Sequence, residues 1–118
     1  LTTEMACNFV LTADNNTTKS FIFDGVSSIR LRSLDASSNA QSLTSGSVSG
    51  VFKLAVSWNS TTIKFFVNGG LVGTITQTTY PYTTIKPENL TTSINKNMEM
   101  LFYQTALSDS EAIALTTL

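Results

Sequence analysis

Apolar and polar residues alternate through the middle of the chain, from Val51 to Thr76, and short runs of turn-forming residues interrupt this alternation. A period of two places successive side chains on opposite faces of a β-strand, so the pattern predicts three consecutive antiparallel strands. The breaks are Asn59-Ser60 and Asn68-Gly69-Gly70, and Asn-Gly supplies the positive φ angles of a tight hairpin turn. The residues expected on one face of each strand are Phe52, Leu54, Val56 and Trp58, then Ile63, Phe65 and Val67, then Leu71, Gly73 and Ile75.

The first half of the chain carries a weaker alternation of the same kind, with Asp24-Gly25 as a second hairpin signal. From Leu34 to Gly50 small polar residues replace the large apolar ones. We expect only a short strand there, around Ala40 to Leu43, flanked by turns. The other strands predicted in this half are Glu4 to Thr12, Lys19 to Asp24 and Ser28 to Ser33.

Two arginines share one face of the third of these strands. Ile29 and Leu31 alternate with Arg30 and Arg32, so the arginines are expected on the solvent side, one pleat apart. They are candidates for binding an anionic sugar or a carboxylate. The alternative is that they are simply solvated or form ion pairs, as paired arginines on an outer face usually do.

The segment after the three central strands contains prolines. Pro81 and Pro87 each remove a backbone donor, so Gln77 to Asn89 is expected to be a loop or an irregular edge and not a central strand. Asn97 to Thr105 resumes strand character, with apolar residues on both faces near its end. Part of that strand is therefore expected to be buried on two sides.

The last predicted element is a helix. Ser108 is a good N-cap, and Glu111, three residues later, can return a hydrogen bond to it. The pattern predicts a short helix from about Asp109 to Leu115. The apolar residues expected to face the sheet are Leu107 and Ile113, Leu115 or Leu118.

Composition narrows the class of protein. The 118 residues are enough for one domain, residues 1–118, and too few for two. A net charge of −1 offers no attraction for nucleic acid or for an anionic membrane, and no apolar run approaches the roughly 20 residues that span a bilayer. Neither partner is expected. The polar surface is instead rich in hydroxyls, since the chain has 15 Ser and 19 Thr.

An inventory of reactive side chains argues against an enzyme. The chain has no His, so it cannot build a Ser-His-Asp triad or a histidine-ligated zinc site. Its carboxylates are isolated in the sequence, whereas glycoside hydrolysis needs two that face one bond. We expect no catalytic residue and no cofactor. Asp14, Asn15 and Asp24 carry oxygen atoms that suit calcium, but scattered turn residues of this kind are common, and no metal site is predicted.

Binding is the remaining class of function, and its best candidates are aromatic. Tyr80 and Tyr82 flank Pro81, which stiffens the loop and reduces the entropy lost when it orders on a ligand. Aromatic rings can stack on the apolar faces of sugars. The alternative is that one tyrosine packs over the rim of the fold. The candidate ligand-binding residues are Tyr80, Tyr82, Arg30, Arg32 and Asn68.

Two motifs stand in order along the chain. The first is Phe52-Lys-Leu-Ala-Val-Ser-Trp58, followed by Thr62-Ile-Lys-Phe-Phe-Val-Asn-Gly69 and then Leu71-Val-Gly73. The second is Leu101-Phe-Tyr-Gln-Thr-Ala-Leu-Ser-Asp-Ser-Glu-Ala-Ile-Ala-Leu115. The pair resembles the core and the helix-capped end of concanavalin A-like, laminin G-like jelly-roll domains. The closing motif in particular is similar to the carbohydrate-binding-like domains of phage tail fibres and other virion appendages.

The resemblance implies a fold and a role. The fold would be all-β, an antiparallel β-sandwich of the jelly-roll type with one short C-terminal helix. The role would be non-catalytic recognition of a host cell-surface glycan or receptor at the surface of a virion. The acidic calcium cluster of many laminin G-like domains has no clear match in this chain.

The same resemblance predicts an open strand edge. Such domains usually begin with a further strand, and this chain is expected to lack it. An open edge is commonly covered by a neighbouring chain, which implies a homo-oligomer such as a trimer, or contact with other virion proteins. Two alternatives stand beside the main interpretation: a carbohydrate-binding or adhesion module of a secreted or cell-surface bacterial protein, and a purely structural virion subunit.

Overall fold

The computed structural model describes residues 9–13, 16–24, 28–34, 40–48, 50–76, 84–87, 101 and 103–118. These residues form antiparallel β-structure with one short C-terminal helix, which confirms the all-β prediction. The strands are β1 (Phe9–Ala13), β2 (Asn16–Asp24), β3 (Ser28–Leu34), β4 (Ala40–Ser47), β5 (Leu54–Trp58), β6 (Thr62–Val67), β7 (Gly70–Thr76) and β8 (Thr84–Pro87), and the helix α1 is Asp109–Thr116.

The strands are arranged in two sheets. One has five strands in the order β4-β3-β2-β1-β8, and the other has three in the order β5-β6-β7. The chain passes from one sheet to the other after β4 and again before β8. Among the described strands β8 pairs with β1 alone, and it ends at Pro87, where a missing backbone donor is tolerated at a sheet edge. Residues 84–87, predicted as loop or irregular edge, are thus a regularly paired strand at the edge of the described sheet, and the rest of Gln77 to Asn89 lies outside the described residues.

A shared apolar core lies between the sheets. Ile29 and Leu31 of β3 meet Ile63, Phe65 and Val67 of β6, and Ile75 of β7 completes the cluster. Burying one such side chain contributes about 1.5–3 kcal/mol, so these contacts are the main attraction between the two sheets. Four partly buried residues predicted for the inner face of the first central strand also pack against this cluster: Phe52, Leu54, Val56 and Trp58.

The inner face predicted for the third central strand is wrong at Leu71. A register shift between Phe65 and Phe66 places Leu71 opposite Phe66, and the Leu71 side chain is 47% exposed. Its neighbour Val72 packs against the core instead. A β-bulge adds one residue to one strand, which reverses the faces of the residues beyond it.

Two further strand predictions need correction. β4 has eight residues, Ala40–Ser47, where a short strand near Ala40 to Leu43 was expected. Pairing with β3 carries the strand beyond Leu43, because small polar residues on an edge strand face solvent at little cost. The strand predicted to end at Thr105 is absent at residues 101 and 103–105, and the rest of it, with Phe102, lies outside the described residues. The Ser57 hydroxyl donates to the Leu107 carbonyl at 3.0 Å, so a side-chain hydrogen bond links the residues just before α1 to β5.

Helix α1 contacts β5, β6 and β7 on the sheet face opposite the core. The Lys64 ammonium lies 2.8 Å from the Asp109 carboxylate, which fixes the helix over that face. Phe66, two residues further along β6, is fully buried on the same side. The residues that α1 itself buries are Ala112 and Thr116.

The prediction that large apolar residues of α1 face the sheet is wrong for the helix itself. Ile113 is 37% exposed, Leu115 is 44% exposed and Leu118 is 67% exposed. Only Leu107, which precedes the helix, is half-buried. Ala112 and Thr116 are four residues apart and therefore share one face. Their small side chains let the helix lie close to the three-stranded sheet.

The start of α1 confirms the predicted capping box. The Glu111 backbone N–H donates to the Ser108 hydroxyl, and the Ser108 backbone N–H donates to the Glu111 carboxylate at 2.8 Å. These hydrogen bonds from Ser108 lower the pKa of Glu111. The ionised Glu111 in the cap therefore stabilises the folded state fully at pH values above the ordinary pKa of a glutamate. This stabilisation is lost as the pH falls through the lowered pKa of Glu111.

Candidate functional site

The candidate binding site is a groove between β4 and the β6–β7 hairpin. Its volume is about 400 Å³, and it opens broadly to solvent. One wall consists of residues 44–48, and the other consists of residues 67–72 apart from Gly69. The groove therefore lies where an edge of the five-stranded sheet meets an edge of the three-stranded sheet.

The groove exists because the two edges touch at one end and separate at the other. At the closed end Leu43 lies over Gly73, so closely that a Cβ atom on Gly73 would be 2.8 Å from Leu43 Cδ2. The Gln41 side-chain amide also reaches the Thr76 carbonyl at 3.5 Å. Beyond Leu43 and Gly73, the space between residues 44–48 and the β6–β7 hairpin forms the groove.

The β4 wall is held in place by Ser45. Its hydroxyl accepts a hydrogen bond from the Ile29 backbone N–H at 2.9 Å and donates one to the Gly46 carbonyl at 2.8 Å. The β3–β4 register shifts between Ser28 and Arg30, so the side chain replaces a ladder partner for Ile29. Ser45 thus has a structural role, while the exposed Thr44 and Ser47 present hydroxyl-bearing side chains beside it.

The opposite wall begins at the β6–β7 turn. Asn68 has φ 49° and Gly69 has φ 81°, the left-handed conformations that the Asn-Gly pair predicted. The Asn68 side-chain oxygen accepts from the Lys53 backbone N–H at 2.9 Å, and the Asn68 backbone N–H donates to the Lys53 carbonyl at 2.9 Å. Asn68 therefore clamps the hairpin to the segment that precedes β5.

The groove is uncharged. Its wall residues are Thr, Ser, Gly, Val, Leu and Asn, and none of these side chains ionises. Hydroxyl and amide groups therefore lie next to the apolar surfaces of Val48, Val67, Leu71 and Val72. Such walls can exchange hydrogen bonds with a ligand and pack against apolar parts of it. They give no electrostatic attraction for an ion.

The predicted site residues that the structure describes, Asn68, Arg30 and Arg32, are not gathered in one place. Asn68 lines the groove, whereas Tyr80 and Tyr82 lie outside the described residues. Arg30 is exposed on β3 and pairs in register with Thr44 of β4, and Arg32 is half-buried and pairs with Ser42. Both arginines alternate with the buried residues of their strand, but only Arg30 is exposed to solvent as predicted, since the Nε atom of Arg32 is buried. Neither lines the groove.

Sequence reasoning missed the β4 wall. The segment around Thr44 and Ser47 has one large apolar residue, Leu43, so its alternation is too weak to show which face meets another strand. The only local signal was the run of small hydroxyl residues itself. That run indicates an open or polar surface but not its position in the fold.

Metal ions and membranes are two other partners that a site could serve. Among the residues that the structure describes, no three Asp, Glu, Cys or His side chains come together as a metal-binding group. Asp24 ends β2 opposite Arg30, while Asp14 and Asn15 lie outside the described residues. None of the described helical residues belongs to a helix that is long and apolar enough to cross a membrane.

Comparison with known proteins finds one loosely similar solved structure and no related family. No protein-family model matches the sequence, and no curated protein matches it. Among solved structures the protein is similar to the crystal structure of an S-layer domain-containing protein (residues 221–444) from Clostridium thermocellum ATCC 27405. The TM-score is 0.43 at 17% identity, over 98% of this chain and 64% of that one. This chain thus spans less than two thirds of that structure, and a likeness this loose supports no assignment of fold family or function.

Proposed function

We propose that this chain is a non-catalytic adhesion module of a cell-surface or secreted protein, and that the groove between β4 and the β6–β7 hairpin binds a neutral glycan. The observation that carries the proposal is the chemistry of the groove walls. Hydroxyl and amide side chains alternate there with Val and Leu, without any charge. A sugar ring offers the matching combination of hydroxyl groups and apolar C–H faces.

The surface composition supports an exterior location. Ser and Thr provide 34 of the 118 residues, while Lys, Arg, Asp and Glu together make up 13%. A neutral surface rich in hydroxyls does not attract charged partners from a distance. Contact with another uncharged, hydrated surface such as a glycan coat then depends on short-range hydrogen bonds and packing.

The finer fold assignment belongs to the same proposal. Two antiparallel sheets share one core, the polypeptide passes between them twice, and a short capped helix closes the domain. These features support the jelly-roll sandwich of concanavalin A-like, laminin G-like domains. Host recognition by a phage appendage remains a second hypothesis, which rests on the resemblance of the two sequence motifs.

The test is binding to a glycan array, followed by titration of the strongest hit. The groove variant is the double substitution Thr44→Val with Ser47→Ala, which removes two exposed hydroxyls. Each lost hydrogen bond costs about 0.5–1.5 kcal/mol, so binding is expected to weaken about fivefold or more. A blocking variant, Gly46→Tyr, places a large side chain where no atom lies within 4 Å of the Cβ position, and should abolish binding.

The matched control is Ser42→Ala, an exposed hydroxyl of the same strand that does not line the groove. It should bind as the wild type does. A second arm, Tyr80→Ala with Tyr82→Ala, tests the tyrosine loop. Wild-type affinity in both groove variants, or an array without any hit, would refute the proposed groove, and loss of binding in the tyrosine variant alone would move the site to that loop.

A further inference from the structure

We propose that Asn68-Gly69 is a latent deamidation site, and that the docking of α1 suppresses its reaction. Release of the helix would then allow a neutral turn beside the groove to become a negatively charged one. Two hydrogen bonds and the position of the helix end carry this inference. It does not depend on any ligand of the groove.

The reaction requires no reagent other than water. The backbone nitrogen of Gly69 attacks the side-chain carbonyl carbon of Asn68, and a new N–C bond closes a five-membered succinimide. The C–N bond of the Asn68 amide breaks, and its nitrogen leaves as ammonia after taking the proton of the Gly69 N–H. Water then opens the ring at either carbonyl and gives aspartate or isoaspartate. Glycine favours this attack because no Cβ atom crowds its nitrogen.

Both reacting groups are held in the folded protein. The Gly69 backbone N–H donates to the Thr116 hydroxyl at 3.1 Å, and the Asn68 side-chain oxygen accepts from the Lys53 backbone N–H at 2.9 Å. To react, the Gly69 nitrogen must lose its proton and the Asn68 side chain must turn toward it. The first hydrogen bond retains that proton, and the second restrains the rotation of the side chain.

Thr116 is well placed to accept the hydrogen bond from the Gly69 N–H. It is 1% exposed, and its hydroxyl donates to the Ala112 carbonyl at 2.8 Å, which leaves the oxygen lone pairs to accept from Gly69. The next residue also crowds the turn, since Thr117 Oγ1 lies 2.9 Å from where a Cβ atom on Gly69 would be. The end of α1 thus both satisfies and covers the Gly69 nitrogen.

The Gly69 N–H is protected from reaction only while α1 is docked on the sheet. α1 has eight residues and buries only Ala112 and Thr116. A helix this short does not persist in water without tertiary contacts. Local opening of an element with so few buried contacts costs less than global unfolding. Each opening frees the Gly69 N–H, so the rate of deamidation should report how often α1 detaches.

The product would differ from the original turn in two ways. Aspartate or isoaspartate adds one negative charge to a wall of the uncharged groove. Isoaspartate also lengthens the backbone by one atom, which the tight β6–β7 turn cannot absorb without changing its register. If the groove binds a glycan as proposed above, the modified protein should bind it less well.

The experiment follows deamidation in the full chain by the mass gain of one dalton in the peptide that contains Asn68, together with an isoaspartate assay. Thr116→Val keeps the side-chain shape but removes the acceptor for the Gly69 N–H. Its rate is expected to rise roughly threefold to tenfold, the factor that corresponds to one hydrogen bond. Thr116→Ser keeps the hydroxyl and should react at nearly the wild-type rate.

A second variant acts without touching the turn. Ala112→Gly weakens the helix and its packing, and it is also expected to raise the rate, by roughly threefold or more. Ser42→Ala is the control, because Ser42 is exposed on β4 and belongs neither to α1 nor to the β6–β7 turn. In denaturant all variants should react equally fast, and the folded wild type should react far more slowly.

The proposal is overturned if the folded wild type reacts as fast as the denatured protein, or if neither Thr116→Val nor Ala112→Gly changes the rate. Circular dichroism checks that each variant is folded. Should Thr116→Val not fold, Ala112→Gly and the wild type in rising denaturant decide the outcome. These mass measurements need no glycan, so their failure is distinct from failure of the proposed binding function.

Discussion

At the scale of single residues, a few small side chains decide how the two sheets meet. Gly73 lets Leu43 lie against the β7 backbone, and Ser45 satisfies the Ile29 N–H where the β3–β4 ladder shifts. Neither Gly73 nor Ser45 has a charged or apolar side chain that a sequence pattern would identify as important. Both act because buried backbone groups need partners and because interiors leave little empty space.

Gly73→Ala tests the close approach of β4 and β7. The added methyl would lie 2.8 Å from Leu43 Cδ2, so the leucine must move. Overpacking of this kind costs about 1–3 kcal/mol, and the smaller entropy of the unfolded state offsets part of that cost. We expect a net loss of about 1 kcal/mol in the free energy of unfolding, measured by urea denaturation.

The matched control is Gly46→Ala, on the facing strand. A Cβ atom there has no neighbour within 4 Å, so this variant should be as stable as the wild type or slightly more stable. Equal midpoints for Gly73→Ala and Gly46→Ala would contradict the close packing of Leu43 on Gly73.

At the scale of elements, β6 is buried on both faces. Phe65 belongs to the core between the sheets, while Phe66 points to the other side, beneath α1. Alternation along β6 suggested one inner face only, because the sequence does not show that a helix covers the other. The two consecutive phenylalanines are the sequence feature that corresponds to burial on both faces.

Phe66→Ala should therefore be costly although Phe66 lies outside the main core. Removing a fully buried phenylalanine costs about 3–5 kcal/mol, from lost transfer free energy and from the cavity that remains. Leu71→Ala, its partner in the β6–β7 register, removes a half-exposed side chain and should cost less than about 1 kcal/mol. Chemical denaturation of both variants measures the difference, and a cost below that of Leu71→Ala would mean that α1 does not cover Phe66.

At the scale of the whole molecule, the open question is assembly. Among the described strands, four have a pairing partner on one side only; β4 and β7 face each other across the groove, while β5 and β8 do not. Several large apolar side chains are also exposed, including Val51, Leu101 and Tyr103. The homo-oligomer predicted from the resemblance would use such an edge. The adhesion module proposed here needs no second copy.

Light scattering of the purified protein separates these two hypotheses. We expect a monomer of 12.7 kDa for a free-standing adhesion module. A stable trimer would instead favour the phage-appendage hypothesis. The measurement belongs at several protein concentrations, because a weak oligomer dissociates on dilution.

The sequence by itself determined the local structure: the strands around the Asn68-Gly69 turn, the exposed Arg30 of β3 and the capping box of α1. These depend on residues that are neighbours along the backbone, so alternation and turn chemistry are sufficient to predict them. Only the tertiary structure decided the rest. The bulge that turns Leu71 outward, the choice of Ala112 and Thr116 as the buried face of α1, and the groove between β4 and β7 all arise where distant segments pack together. Packing depends on the shapes of both partners, and the pattern of either segment alone does not contain that information.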